Sequence, residues 1–66
     1  MEMIRTEDGC FLSPGERAFN YYDLKWGTIG DDMDSSGWFS FFHDDGTRCT
    51  LNGERISTYD PRGEDR

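Results

Sequence analysis

Residues 37–51 contain the feature that most limits how this chain can fold, a pair of strand-like segments joined by a short polar turn. Aromatic residues dominate the first segment, residues 37–43, and a second segment, residues 47–51, follows the turn Asp44-Asp45-Gly46. Two acidic residues before a glycine suit a three-residue hairpin loop, because glycine adopts the left-handed conformation without steric cost. The stretch therefore predicts a β-hairpin.

The length of the turn decides which side chains share a face of this hairpin. With a three-residue loop, Phe41 lies opposite Cys49 and Phe39 opposite Leu51, and these four residues form an apolar face. A two-residue turn would shift the register by one residue and exchange the two faces. In either register two aromatic rings lie beside polar residues of the partner strand. In the three-residue register that second face contains Trp38, Phe42, Arg48 and Thr50.

The charge of the chain limits its partners. Fourteen acidic and seven basic residues give a formal net charge of −7. A phosphate backbone would be repelled, so we do not expect direct nucleic-acid binding. The same charge favours a basic protein partner, or mimicry of nucleic acid on a protein that normally binds it.

The length and the apolar content of the chain restrict it further. A chain of 66 residues makes one small domain, which buries only about 60% of its unfolded surface. No apolar run reaches the ~20 residues that span a membrane, and the N-terminus lacks the zones of a signal peptide. We therefore expect a cytoplasmic protein without membrane contact, with Cys10 and Cys49 as reduced thiols and without a cofactor.

The N-terminal part of the chain, residues 1–14, is predicted to form a short hairpin or an extended arm, because an Asp-Gly pair follows its first apolar segment. Ser13, Pro14, Gly15 and Glu16 fit a type II turn. The same residues also have the spacing of a capping box that begins a helix over residues 16–25. A glycine in the first turn and several mediocre helix formers favour a strand over residues 17–22 instead.

Turn signals divide the remaining residues into short strands. Residues 24–30 are predicted to form a strand in which Gly27 is a bulge or a close-packing point, and residues 31–37 an acidic loop. Asn52-Gly53 is the pair most typical of a two-residue hairpin turn, and residues 54–58 form the closing strand. The pattern predicts an all-β fold, a small antiparallel five-stranded barrel over residues 15–58, with a disordered tail over residues 59–66.

The spacing of these turns resembles a known architecture. Gly15-Glu16-Arg17-Ala18, Trp26-Gly27-Thr28-Ile29, Gly37-Trp38-Phe39, Asp45-Gly46 and Leu51-Asn52-Gly53-Glu54-Arg55-Ile56 resemble SH3-like barrels of the Tudor and KOW kind, over residues 15–57. The resemblance implies a domain that binds proteins, modified peptides or nucleic acids, and not an enzyme. The acidity of this chain departs from the nucleic-acid-binding members of the group.

Three motifs resemble part of a metal-binding or catalytic site, but each lacks a feature that such a site requires. Asp32, Asp34 and Ser36 match the opening of a calcium loop, but His43 stands where its closing glutamate belongs. Cys10, Cys49 and His43 could contribute to a zinc site, with Asp44 or Asp45 as a fourth ligand, yet no Cys-x-x-Cys pair is present. His43 beside those two aspartates could act as a general base, although a histidine that ends a strand is usually an ordinary surface residue. We predict neither a metal site nor catalysis.

A binding surface is the function that the sequence favours, in the form of a non-catalytic module that docks a basic protein through an aromatic patch with an acidic rim. The alternatives are an acidic nucleic-acid mimic of phage or accessory type and a weak calcium-binding domain. The N-terminal arm could instead cover the patch, or a homodimer could bury it. The predicted patch contains Trp38, Phe42, Arg48, Tyr21, Tyr22 and Trp26, and the predicted rim contains Asp31, Asp32, Asp34, Asp44 and Asp45.

Overall fold

A computed structural model of the chain describes residues 3–60. These residues form seven short β-strands and one short 3-10 helix, and they contain no α-helix. The elements in chain order are β1 (Ile4–Arg5), β2 (Phe11–Leu12), β3 (Arg17–Asn20), β4 (Lys25–Ile29), β5 (Phe39–His43), β6 (Arg48–Leu51), the 3-10 helix Gly53–Arg55 and β7 (Ile56–Ser57). The prediction of an all-β fold is therefore confirmed.

The strands form two antiparallel sheets. Strands β1 and β2 make a two-stranded hairpin, and the other five strands form one curled sheet in the order β6-β5-β4-β3-β7. Four of these five strands follow one another as a meander, whereas β7 returns across the sheet to pair with β3. The five strands are those that the sequence predicts, with ends that differ by at most two residues.

The predicted turns before β3 and after β5 are both present. Gly15 has a positive φ of 93°, and the N–H of Glu16 donates to the carbonyl of Ser13, as in a type II turn. The rival helix over residues 16–25 is therefore absent. Gly46 has a φ of 95°, and the N–H of His43 donates to the carbonyl of Thr47 across a three-residue loop.

The three-residue loop sets the register in which Phe41 pairs with Cys49 and Phe39 with Leu51. This is the pairing that the sequence predicts, and the alternative register with exchanged faces is wrong.

The prediction of a hairpin turn at Asn52-Gly53 is wrong. Asn52 instead caps the 3-10 helix, and its side-chain oxygen accepts a hydrogen bond from the N–H of Glu54. The closing strand starts later than predicted, at Ile56, and it pairs with β3 rather than with the preceding strand β6. An Asn-Gly pair favours a tight hairpin only where the two flanking strands are neighbours, and here they lie at opposite edges of the sheet.

The hydrophobic core lies on the concave inner face of the five-stranded sheet. The N-terminal hairpin contributes to it, because Ile4 is buried in this core and Leu12 packs against it. The hairpin also meets the 3-10 helix, where the Gly53 backbone lies so close to the Arg5 carbonyl that a side chain would not fit. The buried core residues are Ile4, Ala18, Ile29, Phe39, Phe41, Leu51 and Ile56.

Gly27 is the close-packing point that the sequence predicts. A Cβ atom at this position would lie 2.5 Å from the carbonyl oxygen of Phe42 and 2.7 Å from a ring carbon of Phe41. The absence of a side chain lets the Phe41 ring lie against β4, where it is fully buried.

The predicted tail over residues 59–66 lies outside the described residues apart from Tyr59 and Asp60. No helix in the described part of the chain is long and apolar enough to cross a membrane.

Candidate functional site

The outer, convex face of the sheet carries an exposed aromatic ring at its centre. The strand register places Arg17, Thr28, Phe42 and Arg48 in one row across four strands. Phe42 is 46% exposed although it belongs to a central strand. Its ring lies over Gly30, since a Cβ there would be 3.1 Å from the ring.

The outer face also holds a second, partly covered aromatic pair. The rings of Phe19 and Trp26 meet edge to face with centroids 5.4 Å apart, and Phe19 is fully buried. The guanidinium of Arg17 lies 5.8 Å from the Trp26 ring and forms a two-pronged ion pair with Asp44, at 2.8 and 2.6 Å. Trp26 is therefore half-buried and held in place by neighbours, whereas Phe42 presents its ring to solvent.

The other predicted patch residues gather around Arg55, a residue that sequence reasoning missed. Its guanidinium lies 4.6 Å from the Tyr22 ring centroid and 5.4 Å from that of Trp38. The Tyr21 hydroxyl donates a 2.5 Å hydrogen bond to the carbonyl of Glu54 in the 3-10 helix. The structure thus divides the predicted patch into two groups. Trp26, Phe42 and Arg48 share the outer face, and Tyr21, Tyr22 and Trp38 surround Arg55.

The predicted acidic rim lies at the two ends of β5. Asp31, Asp32 and Asp34 belong to the loop that precedes this strand, and Asp44 and Asp45 belong to the turn that follows it. All five are exposed.

Most of these carboxylates also bond to nearby groups of the chain. Hydrogen bonds from Ser40 lower the pKa of Asp32, and the Arg17 guanidinium lowers the pKa of Asp44. Thr47 and Lys25 lower the pKa of Asp45. These groups therefore remain charged well below neutral pH.

The two aspartates of the partial calcium motif accept hydrogen bonds from nearby groups of the chain. The Asp32 carboxylate accepts hydrogen bonds from the N–H and hydroxyl of Ser40, at 2.9 and 2.6 Å. Asp34 accepts from the N–H groups of Ser36 and Trp38, at 2.9 and 3.0 Å. Both side chains therefore stabilise the backbone of their own loop. They belong to no metal-ligand cluster in residues 3–60.

His43 is buried, contrary to the expectation of an ordinary surface residue. Only 6% of the residue is exposed, because its side chain points to the inner face beside Gly27, its partner on β4. The ring packs edge to face on Phe41 with centroids 5.4 Å apart. Its Nδ1 lies 2.9 Å from the Thr47 hydroxyl, and that hydroxyl donates a 2.6 Å bond to Asp45.

These contacts fix the tautomer of a neutral His43 ring. An ionised carboxylate only accepts hydrogen bonds, so the hydroxyl hydrogen of Thr47 must point to Asp45. The hydroxyl oxygen therefore accepts from Nδ1–H of His43, and the lone pair belongs to Nε2. That atom faces Asn20, Asp23 and Cys49, at 3.1, 4.0 and 3.6 Å.

The side chain of Asn20 organises this polar cluster. Its oxygen accepts hydrogen bonds from the N–H groups of Tyr22 and Asp23, at 3.0 and 3.3 Å, so its NH₂ group must face His43. The turn that it stabilises brings Asp23 to the cluster and contains Leu24 at a φ of 59°, which is uncommon for a residue other than glycine. Burial and the charge of Asp23 raise the pKa of the Cys49 thiol.

The structure does not bring together all the residues that the sequence analysis considered as zinc ligands. Cys10 belongs to the N-terminal hairpin, where its thiol lies 3.7 Å from Asp8, and Asp44 pairs with Arg17. Asp23, and not Cys10, lies beside His43 and Cys49. No sequence signal identified Asp23 or Asn20, because the end of β3 and the turn after it, both distant in the chain from β5 and β6, contribute them.

Comparisons with protein-family models, with curated proteins and with solved structures give no significant match. The residues and their geometry therefore carry the functional argument.

Proposed function

We propose that this chain is a non-catalytic binding module that docks a basic protein partner through the outer face of its sheet, with Phe42 as the central contact. The observation that carries the proposal is the exposure of this ring, 46%, on a central strand. Large aromatic side chains in the middle of a sheet are normally covered, since each buries roughly 150–250 Å² when it is packed.

The N-terminal hairpin packs against the inner core. The alternative drawn from the sequence is that the hairpin packs over the outer rings. Ile4 is instead buried in the inner core and Leu12 packs against that core. The segment that the sequence suggests as a cover for Phe42 thus supports the opposite face, which favours an external partner for the ring.

The charges around Phe42 favour a basic partner. Arg17 is neutralised by its two-pronged pair with Asp44, and Arg48 is attracted to Asp32. The chain as a whole carries a formal charge of −7, so its overall field is negative. Such a field steers and orients a positively charged surface.

The polar cluster at His43 supports a role without catalysis. Nδ1 of the ring is bonded to Thr47, and Nε2 faces the Asn20 amide. The nearby Cys49 thiol has a raised pKa, which is the reverse of what a cysteine nucleophile requires.

The architecture that best accounts for this surface is an SH3-like barrel of the Tudor and KOW kind, and this assignment is part of the proposal. It is supported by the meander β3–β6, by the 3-10 helix Gly53–Arg55 that follows it and by the return of β7 to pair with β3. The resemblance in turn spacing carries the same implication of a binding domain.

The acidic-mimic alternative receives less support. A mimic of nucleic acid needs carboxylates along one continuous face, spaced like phosphates. Here the rim residues lie at opposite ends of β5, and two of them, Asp44 and Asp45, form ion pairs with Arg17 and Lys25.

Capture from a host lysate with matched variants tests the proposal. The immobilised chain is compared with Phe42→Ala and with Phe11→Ala, which removes an equally large ring, 59% exposed, from the N-terminal hairpin. We expect a basic protein to bind the wild type and the Phe11 variant, to be lost with the Phe42 variant and to dissociate as salt is raised.

Two outcomes would contradict the proposal. One is capture that is equal for all three chains, which would place the contact elsewhere. The other is self-association of the wild type in sedimentation experiments that Phe42→Ala abolishes, because the occupant of the face would then be a second copy of the chain.

A further inference from the structure

We propose that Asp23, His43 and Cys49 form a binding site for one zinc ion or a divalent metal ion of similar character. The three residues come from different elements: the turn after β3, the end of β5 and the middle of β6. One ligand atom of each, a carboxylate oxygen, Nε2 and Sγ, lies within 4.8 Å of the other two. This site is separate from the Phe42 face, since His43 and Cys49 lie on the inner side of the sheet.

The distances between the ligand atoms of these three residues are close to those in a tetrahedral metal centre. Zinc binds nitrogen and oxygen at about 2.0–2.2 Å and sulfur at about 2.3 Å, so neighbouring ligand atoms lie about 3.3–3.6 Å apart. The distance from His43 Nε2 to Cys49 Sγ is 3.6 Å. The distance from Nε2 to the Asp23 carboxylate is 4.0 Å, and the Asp23 side chain, 52% exposed, has room to close this gap.

The imidazole is held in the orientation that metal binding needs. The Nδ1–H group of His43 donates to the Thr47 hydroxyl, which in turn donates to the Asp45 carboxylate. Metal-bound histidines are held through their second nitrogen in this way, which fixes the tautomer and directs the free lone pair at the ion. Thr47 and Asp45 therefore act as positioning residues.

The donor set selects the class of metal. One thiolate, one imidazole and one carboxylate suit zinc and similar transition metals, whereas magnesium and calcium prefer oxygen ligands throughout. Three protein ligands leave the fourth tetrahedral position to water or to an external ligand. Exposure of Asp23 provides a route to solvent for both the ion and that fourth ligand.

Asn20 lies at the centre of the cluster and makes a specific test available. Its amide nitrogen is 3.1 Å from His43 Nε2, 3.3 Å from the Asp23 carboxylate and 3.6 Å from Cys49 Sγ. A metal ion competes with this amide for the same three atoms. Asn20→Asp keeps an oxygen for the turn and replaces the competing NH₂ group by a fourth metal ligand, so we expect it to tighten binding.

Cobalt(II) titration of the untagged full-length chain tests the site directly. Tetrahedral cobalt gives visible bands, and a bound thiolate adds a near-ultraviolet charge-transfer band. We expect both in the wild type and in Cys10→Ser, the control that removes the other thiol. We expect the charge-transfer band to be lost in Cys49→Ser and zinc to bleach the wild-type spectrum.

Two further variants keep the proposal falsifiable if the cysteine variant does not fold. Thr47→Val should weaken cobalt binding by about 10–100-fold, and Asn20→Asp should strengthen it and give a larger rise of Tm with zinc than the wild type shows. Wild-type protein without a thiolate band at millimolar cobalt would overturn the proposal. Loss of the band in Cys10→Ser, or unchanged affinity in both further variants, would overturn it too.

Discussion

Replacing Phe41 by alanine should destabilise the chain much more than the same replacement at Phe42, although the two residues are neighbours on β5. The Phe41 ring is completely buried between the inner core and the Gly27 backbone. Removing such a ring from a core costs about 3–5 kcal/mol. A domain of 66 residues has a free energy of unfolding of about 3–10 kcal/mol, so this variant loses a large part of its stability.

The expected loss at Phe42 is smaller because 46% of the residue is exposed in the native state. The covered half of the ring amounts to roughly 100 Å². At about 25 cal/mol per Å² this corresponds to at most about 2.5 kcal/mol. Part of that area is also covered in the unfolded chain and part remains covered by alanine, so we expect a loss of about 1 kcal/mol.

Urea unfolding followed by circular dichroism measures both effects. With a slope of about 1 kcal/mol per molar urea for so small a domain, Phe42→Ala should lower the midpoint by about 1 M. Phe41→Ala should lower it by about 3 M or more, or leave the chain unfolded without urea. Equal losses, or a larger loss at Phe42, would refute the assignment of the two faces.

Three further predictions concern glycine packing, acid stability and the 3-10 helix. Gly27→Ala should cost more stability in urea unfolding than Gly46→Ala, since a Cβ meets backbone and ring atoms at the first position, whereas at the second it meets open space and only the positive φ of 95° opposes it; a smaller loss at Gly27 would contradict the packing. Burial alone would raise the pKa of Asp8, but hydrogen bonds from two threonines outweigh it and hold the pKa below its ordinary 3.8. The stabilisation from this carboxylate is therefore present above that value and lost as the pH falls through the folded pKa. Stability should accordingly fall less steeply for Asp8→Asn than for the wild type between about pH 5 and about pH 2, and parallel curves would contradict this. Asn52→Ala should cost about 0.5–2 kcal/mol through loss of the cap, whereas Asn52→Asp should retain most of the stability; equal losses by thermal unfolding would contradict the capping role.

The local part of the fold could be predicted because turn chemistry and side-chain alternation act over a few residues. Gly46 at the third position of its loop fixes the register of β5 and β6, and the register fixes which side of the sheet Phe42 occupies. Gly15 after Pro14 likewise specifies a turn and prevents a helix.

Contacts between strands that are distant in the chain could not be predicted from turn residues and side-chain alternation. The pairing of β7 with β3 depends on how the whole sheet curls, so Asn52-Gly53 was interpreted as a hairpin turn although it begins a 3-10 helix. His43 is buried for a similar reason, since Gly27 on a neighbouring strand leaves space for its backbone.

The residues of the candidate sites likewise divide into those that local patterns identified and those that only the folded chain brings together. The hairpin pattern identified Phe42 and Arg48 as residues of one face. The strand register confirms this, because the two residues are direct cross-strand partners. Arg55 and Asp23 had no signal of their own, because the first is brought to Tyr22 by the 3-10 helix and the second reaches His43 through the turn after β3.

The central claim is that the outer face is open around Phe42 while the inner face is closed around Phe41. Nuclear magnetic resonance of the free chain with a soluble paramagnetic agent measures this directly, because ring signals lose intensity when the agent can approach them. We expect a strong loss of signal at Phe42, comparable to that at the exposed Phe11, and little loss at Phe41. Protection of Phe42 equal to that of Phe41 would show that another segment covers the face, and the account would be wrong.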